Sequence, residues 1–440
     1  MDFDSTRGLS RRDFVASAVA IGGTSALGAC QEVEQSAVSE GDTSTGTADG
    51  ATYPRGVEDP AALPDRQHAW DEYLVHGAHG TTIQGQHQLL LGLSYDGSVP
   101  PTDDERATVE EGLQTLEHAF QWGSGLDKSG EVNNGLLFML AYGPSYLDSV
   151  GIEADGLQSA ETILEALGED PSKADGFDAL LLLDSDYGSI LLSVEEAMFG
   201  ERETVNGVEV GSRLGEVFSV SARRSGVLGK GVPADELDNE DIPEDSALSM
   251  GFRAGFDNSL PTEDSVTRTE GPFAGGTTLV TSRLETRLDD WYDQPHEDRR
   301  KEMYCPAHSD EEVGETGERL GNHSLVTAEN VENMDELAEE HGIVGHAQKV
   351  ASARDEDFVP RILRRSEGVA TDEVEGSVFN FSSIQRDTDA FLDVRRAMSV
   401  EEYDHDVPEE KHGIVHYLET KARGTFLVPP RDRRSLPVPR

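Results

Sequence analysis

Twice along this chain, apolar runs of strand length alternate with amphipathic stretches of helical length, and that repetition limits the folds open to it. In the first half, residues 84–94 read as a buried strand, and residues 103–120 set Val109, Leu113, Leu116 and Phe120 at helical spacing. The run 135–142 is a second strand closed by Gly143-Pro144, 177–183 a third, 190–199 a helix and 217–222 a last strand. The second half repeats the order. Residues 277–284 read as a strand, Leu288–Tyr292 opens a polar helix, 378–384 is a strand, 387–398 a helix, and 424–428 a strand stopped by Pro429-Pro430. Only 226–249 and 310–333 read as long stretches without structure. The pattern predicts an α+β protein of two similar sandwich units, 56–260 and 261–440, each with helices on one face of a largely antiparallel sheet.

The 440 residues carry 86 Asp+Glu against 36 Lys+Arg, a formal charge of -50. The acids sit among periodic apolar residues, so the chain reads as folded, with an acidic solvent face. Life in very high salt accounts for such a surface: at about 1 M the Debye length is ~3 Å and self-repulsion is largely screened. Nucleic acid is excluded as a partner, because nothing offers phosphates a basic groove.

Residues 1–30 read as an export signal. Ser10-Arg11-Arg12-Asp13-Phe14-Val15 has the twin-arginine pattern, and a short run of small and apolar residues follows it. Leu27-Gly28-Ala29-Cys30 resembles a lipobox, which makes Cys30 the lipidated N-terminus of a protein anchored to the outer leaflet of the cell membrane. Residues 31–55 read as an acidic tether. Cys305 is then the one cysteine without lipid, which leaves no intrachain disulfide and no Cys-x-x-Cys-His for covalent haem. No other apolar stretch is long enough to cross a bilayer.

The chemistry concentrates late in the chain. Gly345-His346 precedes Arg361-Ile362-Leu363-Arg364-Arg365 and then Ser377-Val378-Phe379-Asn380-Phe381. Leu140 to Leu147, Asp178 to Leu183, Met250 to Asn258 and Gly424 to Pro430 complete an ordered set over roughly 84–430. That set resembles the dye-decolorizing (DyP-type) haem peroxidases. The resemblance implies a tandem ferredoxin-like fold of the dimeric α+β barrel type, with haem b held between the domains. It makes His346 the axial ligand of the iron and Arg364 the distal residue, with Asn258 beside the cofactor. A neutral imidazole suits haem iron, and an acceptor on its other nitrogen would tune it; Asp387, Asp389 and Asp404 are the candidates. A fixed guanidinium at Arg364 suits the charge that grows on the leaving oxygen of peroxide. Arg365 is expected to face solvent or a haem propionate.

Ala254 stands where the family carries an aspartate that moves the peroxide proton, a task worth ~10²–10⁴-fold. Asp257 lies three residues on and is the substitute if the loop turns it inward. His412 and His416 have the i,i+4 spacing of a zinc site, with His405 nearby, but no His-Glu-x-x-His accompanies them; solvent or sheet-edge roles are expected. Gly271 to Thr278 lacks the Gly-Lys-Ser/Thr of a phosphate loop and reads as the opening of the next strand. Trp70, Trp122 and Trp291 read as packing residues.

Three functions follow. The first is a surface-anchored peroxidase-like oxidoreductase that reduces hydrogen peroxide with a donor the sequence does not name. The second is a haem-binding lipoprotein for capture, storage or electron transfer that has lost efficient peroxide chemistry. The third is a surface module that kept the fold alone. The resemblance also leaves room for a homo-oligomer.

Overall fold

A computed structural model describes residues 51–77, 80–125, 132–228, 242, 249–256, 259–372, 376–399, 403 and 406–439. Residues 1–50, with Cys30, and also Asp257, Asn258, Asp404 and His405, lie outside the described residues.

Eight strands form a closed barrel. They are β1 (His87–Tyr95), β2 (Leu137–Tyr142), β3 (Ala179–Ser185) and β4 (Phe218–Val227) in the first half, and β5 (Thr277–Thr286), β6 (Leu363–Ala370), β7 (Ser377–Gln385) and β8 (Leu418–Val428) in the second. Around the barrel the order is β6-β7-β5-β8-β2-β3-β1-β4, with β4 returning to β6, and every neighbouring pair is antiparallel. Each half therefore lays its four strands side by side in the same order, fourth, first, third, second. That is the ferredoxin-like arrangement built twice.

Two thin seams join the half-sheets. Tyr142 of β2 meets Leu427 of β8, and Gly226-Val227 of β4 meets Val369-Ala370 of β6. The second seam is tight, since a Cβ on Gly226 would stand 3.0 Å from the Gly368 carbonyl oxygen. Closure removes the open edges that a half-sheet alone would present.

Helices cover the sheet, which explains why its strands read as continuous apolar runs rather than alternating ones. Every residue of β2 and β3 is buried, as are Leu89, Leu90 and Leu91 in β1. Each fully buried leucine contributes about 1.5–3 kcal/mol relative to exposure. Helix α1 (Asp103–Ala119) buries Val109, Leu113 and Leu116, and a Thr102/Glu105 capping box starts it. One hydrophobic core runs from Leu91, Leu140 and Leu181 of the first half to Leu279, Phe426 and Leu427 of the second.

The connection from β5 to β6 departs most from the periodicity of the sequence. It carries α2 (Leu288–Tyr292), α3 (His296–Met303), α4 (Met334–His341) and α5 (His346–Ser352). Further short helical turns occupy the stretch 310–333 that reads as irregular, at Asp310–Val313, Glu318–Leu320 and Ala328–Glu332. The β7 to β8 connection carries α6 (Thr388–Ala397), capped by Asp387, whose carboxylate accepts the Ala390 amide at 3.0 Å. Among the described residues, no helix is long and apolar enough to cross a membrane.

Candidate active site

The outer face of the second half-sheet, together with α5, α6 and residues 249–256, encloses a cavity of about 1670 Å³ of non-atom space counting its mouth. The wall takes Ser282 and Leu284 from β5, Phe379 and Phe381 from β7, and Leu418, Thr420 and Arg423 from β8. Alternation along β7 explains the choice. Phe379 and Phe381 project into the cavity, while Asn380 and Ser382 between and beyond them are buried on the opposite face. The cavity is thus lined by the second unit, 261–440, and by residues 249–256 and Ser259 at the end of the first, 56–260. The first half contributes β1 to β4 to the other side of the barrel.

His346 is the first residue of α5 and lines this cavity. Two glycines fit it there. A Cβ on Gly345 would lie 2.3 Å from the Tyr304 carbonyl oxygen, and Gly413, at φ +66, lets its chain pass against the His346 backbone, where a Cβ would stand 3.0 Å from the amide nitrogen. Three residues on in α5, the Lys349 ammonium donates to the carbonyls of Met398 at 2.7 Å and His412 at 2.6 Å. Burial, helped by Arg395, lowers that lysine to about 7.

The imidazole itself is neutral. Burial, then the positive charges of Lys349, Arg364 and Arg395, bring His346 down to about 3. Its Nδ1 is buried with no hydrogen-bond partner among the described residues. Of the expected acceptors, Asp387 caps α6 and Asp389 takes the Gln158 amide, while Asp404 lies outside the described residues.

Arg364 lines the same cavity, close enough for its charge to act on His346. It sits where β6 breaks register, in a bulge between Arg364 and Ser366 opposite Ser383 and Ser382. Such bulges re-aim a side chain. Arg365 points the other way, which corrects the expectation of solvent or a propionate. Its side chain is 0% exposed and pairs with Asp71 at 3.0 Å and with Glu263, while the ring of Trp70 lies 5.4 Å from its guanidinium carbon. The same group donates to the His68 carbonyl at 3.0 Å, so it ties β6 to the segment 68–71. That anchorage fixes the strand from which Arg364 reaches the cavity.

Ala254 lies on the cavity wall. Trp291 Nε1 donates to the Met250 carbonyl at 2.9 Å, and the Tyr304 hydroxyl donates to the Arg253 carbonyl at 2.9 Å. These bonds hold the segment 250–254 against the cavity. Six arginines line the space, Arg253, Arg354, Arg361, Arg364, Arg395 and Arg423, and no Asp or Glu does among the described residues. Sequence reading overlooks Arg253 and Arg354, although each stands three or four residues before a phenylalanine.

His412 and His416 do not lie on one helix. Lys411 and Tyr417 end separate 3₁₀ turns, and Gly413 between them takes a left-handed conformation. His412 is buried, and His416 lies beside Glu409. Among the described residues no group of three or more His, Cys, Asp or Glu could hold a metal ion.

The sequence profile of a family of unknown function, DUF7405, matches residues 85–430. The chain belongs to that family. None of the curated proteins matches it in sequence. Solved structures do share the DUF7405 protein's architecture. A protein from Shewanella oneidensis assigned to the DyP-type peroxidases superposes with a TM-score of 0.52 at 15% identity, over 80% of this chain and 94% of that one. A variant of DypB from Rhodococcus jostii RHA1, in complex with heme, gives 0.51 at 17% identity, over 84% and 98%. A dye-decolorizing protein from V. cholerae gives 0.50 at 13%, over 83% and 98%. The fold of this DUF7405 chain is DyP-like: α+β, with large antiparallel sheets and helices.

Proposed function

We propose that this protein holds haem b in the cavity through His346 and acts as a peroxidase-like oxidoreductase toward hydrogen peroxide, with an external reductant. The observation that carries the reading is the cavity wall. In a chain of charge -50, it gathers six arginines, no described carboxylate and one neutral imidazole. A flat apolar body with acidic side arms suits that wall, with Phe379, Phe381, Val394 and Met398 for the body and guanidinium groups for the arms. His346 is already in the protonation state that binds iron. Its orphaned Nδ1 is the departure from a tuned axial ligand, since no acceptor among the described residues raises its basicity.

When bound, haem supplies the redox chemistry that connects a donor to peroxide. Arg364 supplies fixed positive charge where the departing peroxide oxygen becomes anionic. Proton movement between the peroxide oxygens is the weak point, because the Ala254 methyl cannot carry a proton. Asp257 is the one acid proposed to help, and Asn258 is proposed to lie beside the cofactor. Two observations, the missing acid and the orphaned Nδ1, favour a second reading: a haem-binding protein for storage or electron transfer with slow peroxide chemistry.

The twin-arginine signal and the Cys30 lipobox support placement at the cell surface, anchored to the outer leaflet, and the acidic surface supports a high-salt habitat. Peroxide consumption by the haem-loaded protein tests the chemistry. Ala254→Asp should raise the rate, by up to ~10²–10⁴-fold if the new carboxylate moves the proton. An unchanged rate would show that position 254 does not serve the reacting oxygen. A wild-type rate no faster than that of free haem would leave the binding-protein reading.

A further inference from the structure

We propose that Arg253 and Arg354 are the carboxylate-binding residues of this cavity; this rests on the haem reading and adds the residues that receive the two acid groups of a porphyrin. Of the six cavity arginines, three already have acids. Arg361 pairs with Asp393, Arg395 with Glu169 at 2.9 Å, and Arg423 with the same Glu169 at 3.0 Å. Arg364 belongs to the peroxide-facing part of the site. Arg253 and Arg354 differ from these. Each is half-buried on the cavity wall, and among the described residues neither has a carboxylate partner, in a chain with 86 acids for 36 basic residues.

Each also lies over an aromatic ring. The guanidinium carbon of Arg253 lies 4.9 Å from the centre of the Phe256 ring, and that of Arg354 lies 4.4 Å from the centre of Phe358. A ring engages a guanidinium without using its N–H groups as a carboxylate would, so the N–H fork remains for an acceptor. A planar carboxylate takes that fork with two parallel bonds. Burial pushes Arg354 below its ordinary value, and no acid offsets that cost. A ligand carboxylate would offset it, and an uncharged ligand would not.

The position of each arginine in the chain connects it to the rest of the site. Arg354 follows α5, whose first residue is His346, and Arg253 directly precedes Ala254. Binding the acid groups there would set the porphyrin against both walls of the cavity without any contribution from iron.

The experiment compares metal-free protoporphyrin IX with its dimethyl ester. Binding to the purified full chain in high salt is followed by porphyrin fluorescence. The free acid should bind ~10–100-fold or more tightly than the ester, the range expected for charge-assisted hydrogen bonds. Arg253→Leu and Arg354→Leu should each weaken the acid by ~10–100-fold and change ester affinity by less than about threefold. Arg354→Lys keeps the charge but not the fork, and should fall between wild type and leucine. The wild-type comparison needs no variant to fold. Equal affinity for acid and ester, or variants that lose both ligands equally, would overturn the proposal. If haem binds through His346 while acid and ester bind alike, only the carboxylate assignment fails; if neither porphyrin nor haem binds, the haem reading fails with it.

Discussion

Haem affinity in this protein should be nearly independent of pH where an ordinary histidine ligand would weaken. Iron binds imidazole only in its neutral form. With an ordinary value of about 6.5, a histidine is about 3% neutral at pH 5, and ligation there is roughly 30-fold weaker than at pH 8. Burial and the neighbouring cations bring His346 down to about 3, so about 99% of it is neutral at pH 5 and the loss is under about twofold. The same shift limits the usable range. The unfolded chain protonates this histidine near 6.5 and the folded one near 3, so the stability it contributes is full above pH 6.5 and is lost as pH falls toward 3. The loss is about 2 kcal/mol by pH 5 and approaches about 5 kcal/mol near pH 3. The assay is a Soret titration of the purified full chain at pH 8 and pH 5 in high salt, wild type beside His346→Ala. The ratio of the two affinities isolates the iron–imidazole bond from any titration of the propionates. A ratio that holds within about twofold supports the buried neutral ligand. A ratio that falls roughly 30-fold at pH 5 would refute it, because His346 would then titrate like a solvated histidine.

Two further outcomes test the scaffold. Arg365→Met leaves Glu263 and Asp71 without their guanidinium partner; the melting temperature should drop by the equivalent of about 3–5 kcal/mol, and a loss below about 1 kcal/mol would show a solvated cluster. Transfer from about 1 M to about 0.1 M salt lengthens the Debye length from ~3 to ~10 Å, so a chain of charge -50 should unfold at a clearly lower temperature; an unchanged midpoint would contradict the high-salt account.

The sequence displays the strands that are apolar on both faces, and hides what depends on polar residues or distant contacts. Leu137–Tyr142 and Ala179–Ser185 are legible because barrel and helices bury them throughout. β8 begins at Leu418, although only 424–428 reads as strand, since Glu419, Lys421 and Arg423 break the apolar run; Glu419 and Arg423 still pair with β5, and Lys421 sits at a register shift. Barrel closure leaves no local trace, because one residue pair makes the first seam and two make the second. His346, Arg364 and Ala254 come together in one cavity, yet their relation rests on the glycines at 345 and 413 and on a bulge in β6 that spacing alone does not disclose. Arg365 could not be assigned from its place in the arginine run. Its partners, Asp71 and Glu263, are 294 and 102 residues away.

The central claim is that His346 binds haem iron, and the visible spectrum of the purified full chain from haem-supplied cells in high salt tests it most directly. The account predicts a Soret band in the wild type that His346→Ala abolishes or shifts. No band in the wild type, or an identical band in the variant, would contradict it.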